Sequence, residues 1–424
     1  MNDTANRSAG TLIIGNSQAG LQLATSLREY GDTGPITLLG EEEYTPYQRP
    51  PLSKGFIKGE TTTADCVFRT PEWYTEQGIE LVVRERITSI SRDPDGGAAV
   101  SESGRRFSFT RLALTTGATA RRLPLEGAEL EGVNYLRDAA DAARLHDQLK
   151  QSHNVAIIGG GFIGLEIAAG ARDTGKKVTI LEAAPRLIGR AVSNLTSEFY
   201  LQAHRRRGTN VVLNAKISRL IGEDGRVTGV ELNGGRVVPA DTVVIGIGVV
   251  PRSELAQQLG LTVDNGVVVD ERCLASDGLT VAAGDCANVP GLCLTNLPEE
   301  VRVRLESVPN AVEQAKIAAK TLLGLPGRYR TVPWFWSEQS NLKLQIAGLS
   351  QGHDQVLLRG DPGSEKFSVL YYRDTRIIAA DCINTPRDFT AVRNALGKDQ
   401  NINIERAADP TIALKDLAED LLSV

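Results

Sequence analysis

Two stretches of this 424-residue chain impose the same local geometry, and they limit the possible folds more than anything else in it. The first reads Leu12-Ile13-Ile14-Gly15-Asn16-Ser17-Gln18-Ala19-Gly20; the second reads Val155-Ala156-Ile157-Ile158-Gly159-Gly160-Gly161-Phe162-Ile163-Gly164. Each is a short apolar strand that breaks into a glycine-rich turn and restarts as an amphipathic helix. Such a turn aims the helix's unpaired N–H groups and positive dipole end at an anion such as a pyrophosphate. One unit of this kind holds one dinucleotide. Two predict that two dinucleotides meet, an arrangement suited to passing electrons between them.

The chain is long enough for two or three domains. Glycine, at 42 residues, exceeds the usual share of about 7%, as two phosphate-binding turns require. A net charge of −5 argues against non-specific nucleic-acid binding. The longest apolar stretches, such as Val243 to Val250, are strand-length and too short to span a bilayer. Residues 1–10 lack the apolar core of a signal peptide. The five cysteines (66, 273, 286, 293 and 382) show neither CxxC nor metal-ligand spacing, and the four histidines show no helical metal spacing. The expectation is a cytoplasmic protein with reduced thiols and no protein metal site.

Along the chain the pattern predicts strand 11–15, helix 18–30 and strand 35–40, then an irregular stretch over 43–66. Strands near 79–83, 97–101 and 106–116 follow. The second unit repeats the order: helix 138–151, strand 154–158, helix 163–175, strand 177–181, then strand over 237–248. Strand-rich sequence over 265–286 leads to a helix over 309–323, with Pro309 in its first turn. From about 331 the strands 342–349, 355–360, 366–373 and 376–384 alternate apolar and polar residues. Helices 386–397 and 411–423 close an α+β domain.

A lone GxGxxG is weak evidence, but here each turn has its strand before, its helix after and an acidic residue ending the next strand. Glu182 follows Val178-Thr179-Ile180-Leu181 and can accept hydrogen bonds from a ribose diol while repelling a 2′-phosphate, which favours NADH. The plainer reading is a solvated strand-end carboxylate. Arg186 and Arg190 lie close enough in sequence to oppose the preference. In the first turn Ser17 replaces the middle glycine, and Glu41 ends the next strand.

Four further motifs stand in order: Pro46-Tyr47-Gln48-Arg49-Pro50-Pro51-Leu52-Ser53-Lys54, Ala283-Gly284-Asp285-Cys286-Ala287, Arg304-Leu305-Glu306-Ser307-Val308 and Trp334-Phe335-Trp336-Ser337-Glu338-Gln339. With them the chain resembles, over nearly its whole length, the FAD-dependent NADH:ferredoxin reductases of bacterial oxygenase systems. The resemblance implies an α/β, glutathione-reductase-like flavoprotein with two Rossmann-type dinucleotide-binding domains plus a C-terminal α+β domain. Residues 1–119 and 250–328 would form the FAD domain, 120–249 an inserted NAD domain and 329–424 the C-terminal domain.

By the same resemblance, FAD contacts fall on Gly15, Ser17, Ala19, Gly20, Glu41, Arg49, Lys54, Ile87, Thr116, Gly117, Arg137, Gly284, Asp285 and Val308. NADH contacts fall on Gly159, Gly161, Phe162, Ile163, Gly164, Glu166, Glu182, Gly248, Glu306 and Trp336. Lys54 is implied beside the flavin's hydride-accepting nitrogen, with Glu166 paired to it and positioning the nicotinamide. Asp285 would hold a ribityl hydroxyl, and the helix beginning near Pro309 would turn its positive end to the flavin pyrimidine. Ser17 departs from the family's usual glycine, and Asn288 to Val303 departs without an evident role.

What is missing also argues. Disulfide reductases of this fold place a cysteine pair near the flavin, and neither 43–60 nor the helix after the second turn contains a cysteine. Cys286 reads as a small buried hydrophobe. The electrons are therefore expected to leave for an external carrier, a [2Fe-2S] ferredoxin feeding a haem monooxygenase or a ring-hydroxylating dioxygenase. Ferredoxins are acidic, so docking cations are sought at Arg302, Arg304, Lys316, Arg387 and Arg393, with Arg205-Arg206-Arg207 assigned to the NAD domain. A monomer is expected. Two other readings stay open: an NADH oxidase or quinone reductase, and a flavin-bound interaction protein resembling apoptosis-inducing factor.

Overall fold

The computed structural model describes residues 9–291, 297 and 301–420. The chain divides into two compact units. One comprises Met1–Gln48, Val67–Thr119 and Val250–Pro333; the other comprises Arg49–Cys66, Ala120–Val249 and Trp334–Val424.

The first unit is built on a five-stranded parallel sheet in the order Thr280–Ala282, Arg111–Leu114, Thr11–Ile14, Ile36–Leu39, Ile79–Val82. Leu12, Ile13 and Ile14 are all buried, because a parallel strand covered on both faces needs an unbroken apolar run rather than alternation. Helix Gln18–Glu29 packs against helix Val308–Leu322. The latter starts cleanly: Ser307 Oγ accepts the Asn310 N–H at 3.3 Å, and Pro309 stands where its missing N–H costs nothing. A smaller antiparallel sheet, Ile87–Asp93, Gly96–Ser101 and Arg106–Phe109, belongs to the same unit.

The second unit repeats the parallel sheet, in the order Asn210–Leu213, Lys177–Glu182, Asn154–Ile158, Thr242–Ile245, Val133–Tyr135. In both sheets the chain leaves the glycine-bearing strand to one side and later returns to its other side. The carboxyl end of that strand is a topological switch point, where open α/β sheets bind ligands. An antiparallel layer, Ile217–Glu223, Arg226–Leu232 and Val237–Pro239, shares a buried core with this sheet through Leu220, Val230, Val238 and Val243.

The same unit contains a second, antiparallel sheet of five strands: Trp334–Gln339, Leu342–Gly348, Arg376–Ile383, Lys366–Arg373, Gln355–Asp361. Helix Pro386–Gly397 packs on it. The expected α/β class with an added α+β portion is what the structure shows.

Several elements differ from expectation. The predicted closing helix over 411–423 is absent among the described residues: Leu414–Leu417 is one 3-10 turn, and Ala418–Asp420 is a strand paired with Gln400–Ile402. Leu414 and Leu417 are buried from that turn, and the strand's backbone groups find ladder partners that a helix would forgo. The stretch over 43–66 is not wholly irregular but carries short helical turns at Pro50–Ser53, Gly55–Lys58 and Thr63–Cys66. Helix Asn194–Arg206 and strand Trp334–Gln339 are additional to those expected.

Candidate active site

In the first turn Gly15 adopts φ +115°, in the left-handed half of backbone space that favours glycine. A methyl added at Gly20 would lie 1.9 Å from the Gly15 carbonyl oxygen, so helix and turn approach as closely as backbone allows. Ser17 is the N-cap of helix Gln18–Glu29, and its side chain makes no capping hydrogen bond. Gly161 occupies the same place in the second turn, with nearly the same backbone (φ −80°, ψ 177°, against −95° and −156°). A methyl there would meet nothing within 4 Å, which explains why the position tolerates serine. Asn16 Nδ2 is buried with no protein partner beside the turn. A donor left in this way, with the glycine cradle, fits an anionic cofactor at this place.

Other expected contacts of the first unit lie around that turn or apart from it. Gly284, at φ +84°, packs so close that a methyl on it would meet the Ala19 side chain at 3.1 Å, and its N–H donates to Gln314 Oε1 at 2.7 Å. Gln314 is fully buried and was not singled out from the sequence. Asp285 follows in the same turn, and Val308 is the first residue of its helix. Thr116 and Gly117 are held to the next segment: Thr116 Oγ1 donates to the Arg252 carbonyl at 2.7 Å, and Gly117 O accepts from Arg252 N at 3.0 Å. Arg252 also pairs with Glu41, which is therefore a bound carboxylate rather than a bare one. Ile87 is buried at the start of its strand, and Glu306 pairs with Arg304 at 2.7 Å.

The second turn has the same stereochemistry: Gly159 at φ +109°, and a methyl on Gly164 would lie 2.3 Å from the Gly159 oxygen. Glu182 Oε2 accepts the Gly160 N–H at 2.5 Å and Oε1 accepts the Ala184 N–H at 2.7 Å. The carboxylate is thus clamped at the edge of the turn. Arg186 is turned away into its own loop, donating to the carbonyls of Val192 (2.7 Å) and Gly189. Ile163, at the helix start, is 42% exposed, an apolar surface left open beside the turn. Phe162 packs on Phe335 with centroids 4.6 Å apart. Gly248 has φ +100°, with Arg190 the nearest side chain.

Lys54 and Glu166, far apart in sequence, meet as an ion pair with Nζ–Oε2 2.9 Å. The short helix Gly55–Lys58 packs on helix Phe162–Asp173, which brings the two together. Glu166 is 4% exposed, and its other side-chain partners are Ser53 and Ser337, which stand within the quoted motifs but were given no role from the sequence. Ser337 belongs to the strand carrying Trp336, whose ring lies 5.5 Å from Trp334. Trp334 is in turn packed against Phe389 and Arg393. Arg49 Nη1 donates to the Arg137 carbonyl at 2.7 Å, so these two expected contacts are also neighbours.

The docking cations fare unevenly. Arg302 Nη2 donates to the carbonyls of Val269 and Asn288 at 2.5 Å each. Arg304 donates to the Asp285 carbonyl at 3.0 Å besides pairing with Glu306, and Lys316 pairs with Glu313. Arg393 stacks on Trp334, and Arg206 and Arg207 pair with Glu365. Arg387 is exposed. Much of 292–300 in the segment 288–303 falls outside the described residues. Cys286 is buried, its thiol pushed up by burial, and donates to the carbonyls of Ala283 and Leu114. Among the described residues no helix is long and apolar enough to cross a membrane.

Comparison with known proteins accords with this geometry. Residues 10–315 match the family model for pyridine nucleotide-disulphide oxidoreductases, and 334–418 match the reductase C-terminal model. Rhodocoxin reductase from Rhodococcus erythropolis is 42% identical over 405 residues, 95% of this chain and 93% of the relative. A crystal structure of a ferredoxin reductase from Rhodopseudomonas palustris aligns with TM-score 0.92 at 37% identity, over 97% of this chain and 100% of that one. A chain of the covalent putidaredoxin reductase–putidaredoxin complex aligns with TM-score 0.92 at 35% identity, over 97% and 98%.

Proposed function

The chain belongs to the ferredoxin reductases of the pyridine nucleotide-disulphide oxidoreductase family, and from that premise we propose an FAD-dependent NADH:ferredoxin oxidoreductase whose acceptor is a [2Fe-2S] ferredoxin. That ferredoxin would supply a haem monooxygenase or a ring-hydroxylating dioxygenase. The observation that carries the reading is the pair of stereochemically equivalent turns at Gly15 and Gly159, each at a switch point of its own parallel sheet. FAD, when bound, supplies an acceptor for a two-electron hydride and a donor of single electrons.

The chain's own residues position and polarise. The turn Gly15–Gly20 holds one pyrophosphate and Gly159–Gly164 the other. Glu182 binds the ribose diol of NADH, and with Arg186 turned into its loop the site is poorly equipped for a 2′-phosphate. Lys54 and Glu166 form the polar pair beside the reacting rings, and Trp336 covers the nicotinamide. Orientation and a fixed charge carry the hydride step, which needs no protein acid or base. We assign 1–119 and 250–328 to FAD, 120–249 to NADH and 329–424 to the C-terminal domain, and the working form to a monomer in the cytoplasm. Arg387 is a better candidate for docking an acidic partner than Arg302, whose guanidinium holds backbone carbonyls.

An anaerobic stopped-flow experiment tests the reading. NADH should bleach the flavin rapidly, NADPH far more slowly, and a [2Fe-2S] ferredoxin should then restore the oxidised spectrum. Fast oxygen consumption with no ferredoxin reduction would replace the proposal by an NADH oxidase. Slow bleaching with a change in molecular mass would replace it by an interaction protein.

A further inference from the structure

A carboxylate buried as deeply as Glu166 is tolerated only if its lone pairs are occupied. Four donors do so. Oε2 accepts from Ser53 Oγ at 2.5 Å and from Lys54 Nζ at 2.9 Å; Oε1 accepts from Ser337 Oγ at 2.7 Å and, more distantly, from Glu338 N at 3.4 Å. Lys54 and Ser53 arrive together from one turn of the chain. Ser337 arrives from the antiparallel sheet, and its hydroxyl is the only short contact to Oε1 among these four.

The direction of that hydroxyl's proton is set by its neighbours. Burial holds His204 below its usual range, so the ring is neutral and faces Gln339 Oε1 through Nε2 at 2.8 Å. An amide oxygen there requires Nε2–H as the donor, an assignment made from the network. Gln339 then presents its NH2 to Ser337 Oγ at 3.3 Å. With its oxygen accepting from Gln339, the Ser337 hydroxyl turns its proton to Glu166. Every group in this line is buried: Ser337 is 0% exposed, Gln339 1% and His204 4%.

We propose that Ser337 is a positioning residue for hydride transfer, its hydroxyl oriented by Gln339 and His204 so that it fixes the plane of the Glu166 carboxylate and thereby the place of the Lys54 ammonium. Without it, Oε1 keeps only the long backbone contact. The terminal torsion of a glutamate is broad, so the carboxylate swings and the ammonium moves with it. The inference rests on the proposed role of Lys54 and Glu166 in the hydride step.

The test uses the FAD-loaded protein mixed anaerobically with NADH, in wild type and in Ser337→Ala, Ser337→Thr, Lys54→Met and Glu166→Gln. In Ser337→Ala the limiting rate of flavin reduction should fall about tenfold, as for a lost hydrogen bond to a charged group, with the Kd for NADH unchanged. The flavin midpoint potential should shift in the same direction as in Lys54→Met, and Ser337→Thr should restore both. Should Ser337→Ala fail to fold, Gln339→Glu replaces it: a carboxylate there accepts the Ser337 proton, turns it from Glu166, and should give the same loss. Wild-type rate and potential in Ser337→Ala, or no restoration by threonine, would overturn the inference while slow Lys54→Met and Glu166→Gln leave the site reading standing. Wild-type rates in Lys54→Met and Glu166→Gln would instead overturn the site reading and the inference together.

Discussion

At the scale of single residues, buried carboxylates differ in how fully their partners satisfy them. Glu166 has an ammonium and two hydroxyls on its carboxylate. Asp381 has less. It is fully buried, its Oδ2 accepts from Thr196 Oγ1 at 2.8 Å and from the Tyr371 hydroxyl, and its Oδ1 has no partner. Burial pushes its pKa up from 3.8 to about 7, despite the two hydroxyls that favour the charge. The folded state therefore binds a proton that the unfolded chain has released, and stability at this site is lost as pH rises from about 4 to about 7. Asp381→Asn keeps an oxygen for both hydroxyls and removes the charge. Urea unfolding of the two proteins should show the variant's advantage widening with pH up to about 7 and constant above it; a pH-independent difference would contradict the assignment.

At the scale of elements, strands and helices differ in how openly the sequence announces them. The central strands of the two parallel sheets and their glycine turns were legible because buried parallel strands are uninterrupted apolar runs, whereas the short edge strands Val133–Tyr135 and Asn210–Leu213 of the second sheet were not; helix Pro386–Gly397 was legible because its apolar residues repeat at helical spacing. Strand Trp334–Gln339 escaped because three successive aromatic residues do not alternate. The hairpin Ile217–Glu223/Arg226–Leu232 had a signal: Asp224-Gly225, both at positive φ, is a turn residue pair of the hairpin type. Of the candidate site, a contact within one motif, as that of Glu182 beside its turn, can be read from the sequence, whereas partners brought from distant elements, as Ser337 and His204 are, cannot. Arg359, on an edge strand, shows the same blindness. Its guanidinium pairs with Asp388 at 3.0 Å and donates to the carbonyls of Ala407, Asp409 and Ile412, pinning the segment that replaces the expected last helix. Arg359→Met should cost about 3–5 kcal/mol, as for breaking a buried pair, and hydrogen exchange should quicken first over 404–420. Uniform exchange changes would show that the contact is not local in effect.

At the scale of the whole molecule, each unit is assembled from three separated segments of chain. The parallel sheet of the second unit is nonetheless complete once Thr242–Ile245 has been made, whereas that of the first lacks an edge until Thr280–Ala282 follows. Synthesis runs from the N-terminus, so the sheet that begins first must finish last. Nascent chains halted between Ile245 and Thr280 should resist protease across 133–245 while 11–114 is still cut; equal resistance would mean that the edge strand is dispensable for the first sheet. For a cell making this protein, the glycine turn at Gly15 emerges earliest from the ribosome but lies in a sheet completed later than the one around Gly159. If the proposed assignment of the two turns holds, a shortage of riboflavin would be met by chains whose nicotinamide half is already shaped and waiting.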